Sequence, residues 1–543
     1  MRRVRAAVWS VLAGALVWGA LVLPTTWTDL DVGSLVRLPV LGLAVVALLL
    51  LVPRAATAIG VLLALVVIGK VLDIGFSAVM DRPFHPVHDW PNLERGHDVL
   101  ADWIGPGRAQ AVVVALVVAT VLVVVLLVPA TRRVAHVVGA HRRGAVAVVV
   151  AGAVVVVAGA SVRGSGVVTD RTVDFVAGQA RAAVADLRDD EVFARQIASD
   201  PWAGRTDLLD ELAGKDVLLV FVESYGRSAI ADPEIAKGVT PVLDAGEEAL
   251  GRAGVEARSG WLTSPTFGAG SWLAHATLQS GRWVDTDRRY EQLLAAERLT
   301  LTRAFDDGGW RTGFVLPAVE TEPAATSSSP WPPAHDFYGA DRLHTGDELG
   351  YRGPELGWGG IPDQYTLAWF RQEVQSESGP PVMAQIDLVS SHNPWPLPPP
   401  LEPWADLGDG SVLACMPQCA VGHTDGGADD VRSRYAASIG YSLESVISFV
   451  AEHPDPDLVV VLVGDHQPWA YVTGDAPTHD VPVTLIAGDP TVLSRTAGWG
   501  WTPGLTPAGD APVWRMHAFR DRFLQAFFGG GGAASWPDSP ARE

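Results

Sequence analysis

Lysine is nearly missing from this 543-residue chain: Lys70, Lys215 and Lys237 are the only three, and arginine carries the positive charge. Acidic residues outnumber basic ones, 61 to 40, for a formal net charge of −21. That balance argues against a nucleic-acid partner. Cysteine is scarcer still. Cys415 and Cys419 are the whole supply, so a disulfide framework is excluded. A structural zinc site is disfavoured too, since His423 is the one histidine near the two thiols. Whether these two cysteines pair locally in an oxidising compartment is left open. No internal repeat is visible. What is abundant is valine, leucine and alanine at the N-terminal end, and tryptophan, 20 in all.

The first 165 or so residues differ in composition from the rest. Apolar stretches run over 6–24, 35–52, 55–80, 109–129 and 144–162, each near the roughly 20 residues that cross a bilayer. Arg2, Arg3 and Arg5 precede the first stretch as in a signal peptide, but no small-residue cleavage site follows Leu23-Pro24, which predicts an anchor. Arg54, Arg132, Arg133, Arg142 and Arg143 fall on the same side as the N-terminal arginines, while Asp29, Asp81, Asp89 and Glu94 fall opposite. By the positive-inside pattern, five spans leave everything beyond residue 165 outside the cell. Lys70 and Asp73 sit inside the third span at helical i,i+3 spacing, either as a mutually neutralised pair or as functional groups. The segment Asp81-Arg-Pro-Phe-His-Pro-Val-His-Asp-Trp carries two histidines and reads as ordered, with no role evident.

Residues 166–210 read as a helical connector, 211–528 as a large domain, and 529–543 as a disordered Gly-rich tail. Ser327-Ser-Ser-Pro-Trp-Pro-Pro and His392-Asn-Pro-Trp-Pro-Leu-Pro-Pro-Pro are rigid loops. Tyr435, Ile439, Leu443, Val446, Ile447 and Val450 recur at helical spacing, and a last helix is predicted over 513–528. Strands alternate with helices, which predicts a mostly parallel, doubly wound sheet.

Three apolar strands end in reactive residues. Asp216-Val-Leu-Leu-Val-Phe-Val runs into Glu223, Leu458-Val-Val-Val-Leu-Val-Gly into Asp465-His466, and Val382-Met-Ala-Gln-Ile-Asp-Leu-Val into Ser391-His392. Open α/β sheets gather ligands outside the carboxyl ends of their strands, so the three ends describe one convergent site. Carboxylate and imidazole together suit a divalent cation: manganese, magnesium or zinc. Thr266-Phe-Gly-Ala-Gly-Ser271-Trp-Leu-Ala-His is a Gly-rich turn with a serine opening a helix. Ser271 alone reads as a helix cap; beside the three strand ends it reads as a nucleophile at an anion-holding helix N-terminus.

Together these motifs resemble the alkaline phosphatase superfamily, in its membrane-bound, sulfatase-like branch of lipoteichoic acid synthases and phosphoethanolamine transferases. The resemblance implies about five N-terminal transmembrane helices followed by an extracytoplasmic α/β domain of alkaline phosphatase/sulfatase-like fold. It implies one divalent cation, manganese first, on Glu223, Asp465 and His466. Thr266-Phe-Gly-Ala-Gly-Ser271 is similar to the Thr-Gly-x-Gly-x-Thr pattern, which makes Ser271 the nucleophile and fourth ligand. His392, in Ser-His-Asn-Pro-Trp, matches a phosphate-binding histidine, and His479, in Thr-His-Asp-Val-Pro-Val, matches one found shortly after the Asp-His pair. The departures are a serine in place of threonine, with Thr263, Ser264 and Thr266 as fallback nucleophiles, and Tyr351-Arg-Gly-Pro-Glu-Leu-Gly-Trp358 where the glycerophosphate-contacting segment should be. Arg227, Arg352 and Trp358 are candidates for contact with substrate. No Cys/Ser-x-Pro-x-Arg motif lies near Ser271, which disfavours sulfate ester hydrolysis.

By this resemblance the chain is expected to be a phosphotransferase. It would move a phospho-alcohol headgroup, such as glycerophosphate or phosphoethanolamine, from a membrane phospholipid donor to a cell-envelope glycan or glycolipid acceptor through a phospho-serine. A phosphodiesterase or phosphatase, and a non-catalytic membrane scaffold, are the alternatives. Oligomeric state is not set by the sequence.

Overall fold

The computed structural model describes residues 2–26, 29, 38–90, 92–93, 96–97, 101, 105–160, 168–169, 171–205, 207–320, 336–357, 360–413, 428–474 and 478–529. Cys415, Cys419, His423, Trp358, Trp331 and the predicted tail 530–543 lie outside them. The chain divides into two compact units, Met1–Asp189 and Asp190–Glu543.

In the first unit all five apolar stretches are helical: α1 (Arg2–Val22), α2 (Val40–Leu51), α3 (Ala56–Met80), α4 (Pro106–Ala140) and α5 (Arg142–Ala160). Among the described residues three helical segments are long and apolar enough to cross a membrane: Arg3–Val22, Pro53–Met80 and Gly107–Ala140. The second predicted span falls short because α2 has only 12 residues, below the length a bilayer demands. Two short strands, β1 (Leu38–Pro39) and β2 (Val168–Thr169), pair in parallel, and α6 (Arg171–Ala198) follows. The most apolar window of α4 is only 6 % buried. A valine-rich helix left bare on nearly every side is a surface made for lipid rather than water.

Lys70 and Asp73 do not pair with each other. Lys70 Nζ donates to the carbonyls of Leu21 (3.3 Å) and Leu23 (2.8 Å) and to Thr172 Oγ1 (2.7 Å). It therefore caps the end of α1, where a helix leaves carbonyls unmatched and favours a cation. Asp73 Oδ1 accepts the Phe84 amide (3.0 Å) and so anchors the segment after α3.

The second unit is built on β3 (Asp216–Val222), β4 (Glu256–Thr263), β5 (Arg311–Leu316), β6 (Arg342–Thr345), β7 (Val382–Leu388), β8 (Leu458–Gly464), β9 (Asp480–Ala487), β10 (Thr502–Pro503) and β11 (Val513–Arg515). The sheet order is β10-β4-β9-β8-β3-β7-β5-β6, with β11 beside β4. Every residue of β3 after Asp216 is buried, and successive side chains serve opposite faces. Leu218, Val220 and Val222 join a core closed by α7 (Pro233–Arg252), α9 (Asp363–Phe370) and α10 (Ala428–Glu452). Val217, Leu219 and Phe221 join another, closed by α8 (Ser271–Ser280) and α11 (Ala518–Phe527). The strand is apolar throughout because both faces are covered. All six predicted apolar positions of α10 fall in the first core.

The sheet is mixed rather than mostly parallel. β8, β3, β7, β5 and β6 are parallel neighbours, but β9 runs antiparallel to both β8 and β4. One consequence fixes the site. The start of β9 lies at the same edge as the ends of β8, β3 and β7, and so does the end of β4, where Thr263 is opposite Asp480. The predicted last helix also begins later than expected, because Val513–Arg515 pairs with β4 instead.

Gly464 ends β8 directly beneath the turn after β3. A Cβ there would stand 1.9 Å from the Tyr225 carbonyl oxygen. Gly464→Ala is therefore expected to destabilise the protein by about 1–3 kcal/mol, the usual penalty of overpacking. Denaturant unfolding measures it, and an unchanged midpoint would show that the turn yields freely.

Candidate metal centre and nucleophile

Glu223 leaves β3 and Asp465-His466 leave β8, two strands that pair residue for residue up to Val222 and Gly464. Their carboxylates and imidazole converge within 4.8 Å, as a group able to hold a metal ion. Ser224, next in the chain, takes a left-handed backbone (φ 57°), a conformation that costs a residue with a side chain about 1–2 kcal/mol. Three contacts hold it there. Its amide donates to Asp465 Oδ1 (2.7 Å), its hydroxyl donates to Glu223 Oε1 (2.8 Å), and its carbonyl accepts from Tyr435 Oη (2.8 Å).

Ser271 is the first residue of α8, after Gly270 at φ 86°. Its side chain caps nothing. Ser271 Oγ lies 3.1 Å from Glu223 Oε2 and 3.3 Å from His466 Nε2. The fallback hydroxyls are spent elsewhere: Thr263 donates to Asp480 Oδ1 (2.9 Å), Ser264 donates to the Asp465 carbonyl (2.6 Å), and Thr266 Oγ1 lies 3.5 Å from Ser264 Oγ. His466 Nε2 is 3.6 Å from Glu223 Oε1 and 3.5 Å from Asp465 Oδ2. Ligand atoms around a tetrahedral zinc, bonded at about 2.0–2.1 Å, stand about 3.3 Å apart. The four side chains therefore have the spacing and donor chemistry of a small divalent cation's shell. His466 Nδ1 donates to the Gln467 carbonyl (2.8 Å), which leaves the Nε2 lone pair facing the cluster, the usual orientation of a ligating histidine.

Electrostatics agree. Burial pushes Asp465 up to about 7, and the charge of Glu223 adds to the push. Burial acts on Glu223 in the same sense, but His466 and His392 outweigh it and hold that carboxyl at about 2. His466 is raised: burial works against it, and the Asp465 and Glu223 charges prevail. Two carboxylates, one buried and one partly so, thus share one imidazole, an excess of negative charge that a divalent cation would neutralise.

His392 reaches Glu223 through its charge, and its Nδ1 donates to the Asn393 carbonyl (2.6 Å). Ser391 Oγ donates to the Glu223 carbonyl (2.6 Å), tying the end of β7 to that of β3. His479, just before β9, packs its ring 5.4 Å from Phe267 in the loop that leads to Ser271. Arg352 is exposed, and its backbone amide donates to the Asp409 carbonyl (2.9 Å). Among the described residues no hydrogen bond or ion pair joins it to the cluster. Arg227 is engaged away from the site, donating to Asp480 Oδ2 (3.0 Å) and stacking over Trp261.

Sequence reasoning passed over a buried layer beneath the cluster. His275, one turn after Ser271 on α8, lies 3.5 Å from Asp387 Oδ2 and stacks on Phe221 at 3.9 Å. Gln385 donates to Asp387 Oδ1 (3.0 Å), and Gln279 donates to Gln385 Oε1 (3.0 Å). Burial lowers His275 to about 3 and lifts Asp387 well above the usual range, so the pair is neutral. The signal was present in Gln385 and Asp387, two polar residues inside an otherwise apolar strand.

These shifts set a pH dependence. Asp465 titrates near 3.8 unfolded but near 7 here, and His466 is likewise raised. Both groups bind more protons folded than unfolded, so their contribution to the stability of the metal-free protein falls as pH rises, that of Asp465 between about 4 and 7 and that of His466 above about 6.5. Cation binding must displace those protons and should strengthen with pH over the same range. Thermal melts of chelator-treated protein at pH 6 and 8, with and without added zinc, check both signs. Asp465→Asn is expected to flatten the metal-free trend.

No protein-family model matches the chain, and no curated protein does. Several solved structures do. Lipooligosaccharide phosphoethanolamine transferase A of Neisseria meningitidis, an integral membrane protein, is 13 % identical with a TM-score of 0.43, over 87 % of this chain and 84 % of that one. The lipoteichoic acid synthase LtaP of Listeria monocytogenes is 16 % identical with a TM-score of 0.34, over 51 % and 67 %. A protein in the alkaline phosphatase superfamily from Vibrio parahaemolyticus is 14 % identical with a TM-score of 0.34, over 56 % and 69 %.

Proposed function

We propose that the protein is a membrane-anchored, metal-dependent phosphotransferase that carries a phospho-alcohol headgroup from a membrane phospholipid to a hydroxyl of a cell-envelope glycan or glycolipid. The observation that carries this reading is the Ser271 hydroxyl, placed at a helix N-terminus within 3.1 Å of Glu223 and 3.3 Å of His466. A divalent cation on Glu223, Asp465, His466 and Ser271 would supply positive charge that acidifies the hydroxyl and offsets charge on the phosphoryl group. Manganese, magnesium and zinc all suit the donors.

The chain's own groups account for the rest. Ser271 Oγ attacks phosphorus, the bond to the diacylglycerol oxygen breaks, and the seryl proton, made acidic by the cation, is lost to water. His392 and His479 flank this edge of the sheet, where they would hold phosphoryl oxygens and protonate the leaving alkoxide, so that diacylglycerol departs as an alcohol. The acceptor hydroxyl then attacks the phospho-serine, the phosphorus–Oγ bond breaks, and the proton lost by the acceptor is balanced by the one Ser271 Oγ regains. Arg352 and Trp358 belong to the segment that would meet the headgroup. The anchor fits this chemistry, since the donor exists only at a bilayer. Five spans, or the three long helices alone, are odd in number and would put the second unit outside the cell.

Peptide mass spectrometry after incubation with membrane lipid should find the transferred group on Ser271. Ser271→Ala should lower turnover by about 10³-fold or more while Glu223, Asp465 and His466 still bind metal, and Ser271→Thr should keep substantial activity. A mass increment on Thr266 instead would move the nucleophile, and release of headgroup to water alone would replace transfer by hydrolysis. Protease added to intact cells should cut the chain beyond residue 200; full protection would overturn the topology.

A further inference from the structure

The segment after α3 holds a second convergence of metal-ligating groups, unrelated to the strand ends. His85 and His88 lie on a turn that follows α3, and Asp186 lies on α6. His85 Nε2 is 3.4 Å from Asp186 Oδ2 and His88 Nε2 is 3.4 Å from Asp186 Oδ1. All three residues offer ligand atoms within 4.8 Å of one another. We propose that His85, His88 and Asp186 form a second metal site, and that its ion is zinc.

The geometry is unlike that of an ordinary ion pair. A charge-assisted N–H···O bond closes to about 2.7–2.9 Å, and neither imidazole comes that near. The observed 3.4 Å matches the separation of about 3.3 Å between neighbouring ligands of a tetrahedral zinc. The two rings stack, with centroids 4.8 Å apart and planes at 19°, so both Nε2 atoms face the same carboxylate. Asp186 Oδ2 is buried without a hydrogen-bond donor, and so is His85 Nδ1. The imidazole therefore has its polar contact through Nε2 alone. Two imidazoles and one carboxylate are the ligand set zinc prefers over magnesium or calcium, which seek oxygen. Three protein ligands also leave a fourth position open.

The site is rigidly framed before any ion enters. Asp89 is buried and accepts from the His85 amide (2.7 Å), from Arg82 Nη1 (2.6 Å) and Nη2 (2.7 Å), and from Asn92 Nδ2 (3.0 Å). Phe84 packs edge-on against Phe76 and Trp90. Its amide donates to Asp73 (3.0 Å), and its carbonyl accepts from Gln179 Nε2 (3.1 Å). Gln179 and Asp186 are seven residues apart on α6 and so share a face. The ion would clip this turn to α6, across about a hundred residues of chain.

The test uses the full chain in detergent with the strand-end site disabled. Asp465→Ala/His466→Ala protein, dialysed against Zn²⁺, should retain about one zinc per chain by elemental analysis. Adding His88→Ala should reduce this to none. Adding Asp186→Asn, which keeps the shape and guards against misfolding, should do the same. Cobalt(II) in place of zinc should give the visible absorption of a tetrahedral nitrogen–oxygen site, and His88→Ala should abolish it. Zinc absent from the doubly substituted protein, or zinc retained after either His88→Ala or Asp186→Asn, overturns the proposal. Neither result depends on turnover or on the reading of Ser271.

Discussion

A buried carboxylate and a partly buried one face one buried imidazole at the ends of adjacent parallel strands, and much of the second unit serves that arrangement. Like charges in a dry place repel, and each loses its water. The protein opposes this with donors aimed at them: the Ser224 amide and hydroxyl, and the His466 amide, which donates to Asp465 at 2.6 Å. Ser224 accepts backbone strain to reach its place, and two glycines clear the room. Besides Gly464, Gly226 lies so close to Gln467 that a Cβ would stand 1.9 Å from its amide oxygen. Local sacrifices of this kind gather at functional sites because the surroundings over-determine them.

The three strand ends were legible because each apolar run stops abruptly at a polar residue, and the run itself reports burial on both faces. Ser271 stood out as a serine opening a helix after a Gly-rich turn, and the structure brings its hydroxyl beside Glu223 and His466 while Thr263 and Ser264 donate to other partners. What stayed hidden depends on pairings between distant parts of the chain. Nothing in Asp480–Ala487 says that it turns back against β8, since an apolar strand reads the same in either direction. Val513–Arg515 continues into α11 by composition and is claimed by β4 only in three dimensions. His275 and Asp387 are 112 positions apart and meet because α8 lies across β7. Arg227 was a reasonable phosphate ligand by type, yet Asp480 and Trp261 hold it.

The first unit obeys a different solvent. Its helices are apolar where they are exposed, as Val114, Leu116, Val121 and Val125 of α4 show, and the two charged groups within α3, Lys70 and Asp73, find protein partners. Lys70 illustrates the rule. A cation in hydrocarbon is expensive, but this one meets two helix-end carbonyls and a threonine hydroxyl. Thr172 in turn donates to the Leu21 carbonyl, so the lysine joins a small network of polar groups rather than standing alone.

The central strand β3 takes both its neighbours from far along the chain. Asp216 bonds to Val382 across 166 residues, and Ser224 bonds to Asp465 across 241. Contacts this remote form slowly, because the intervening chain must be gathered first. No early fragment, and no chain still emerging from synthesis with β8 unmade, holds Glu223 and Asp465 together. An ion held by Glu223 and Asp465 would accordingly be captured late, once β3 and β8 have paired.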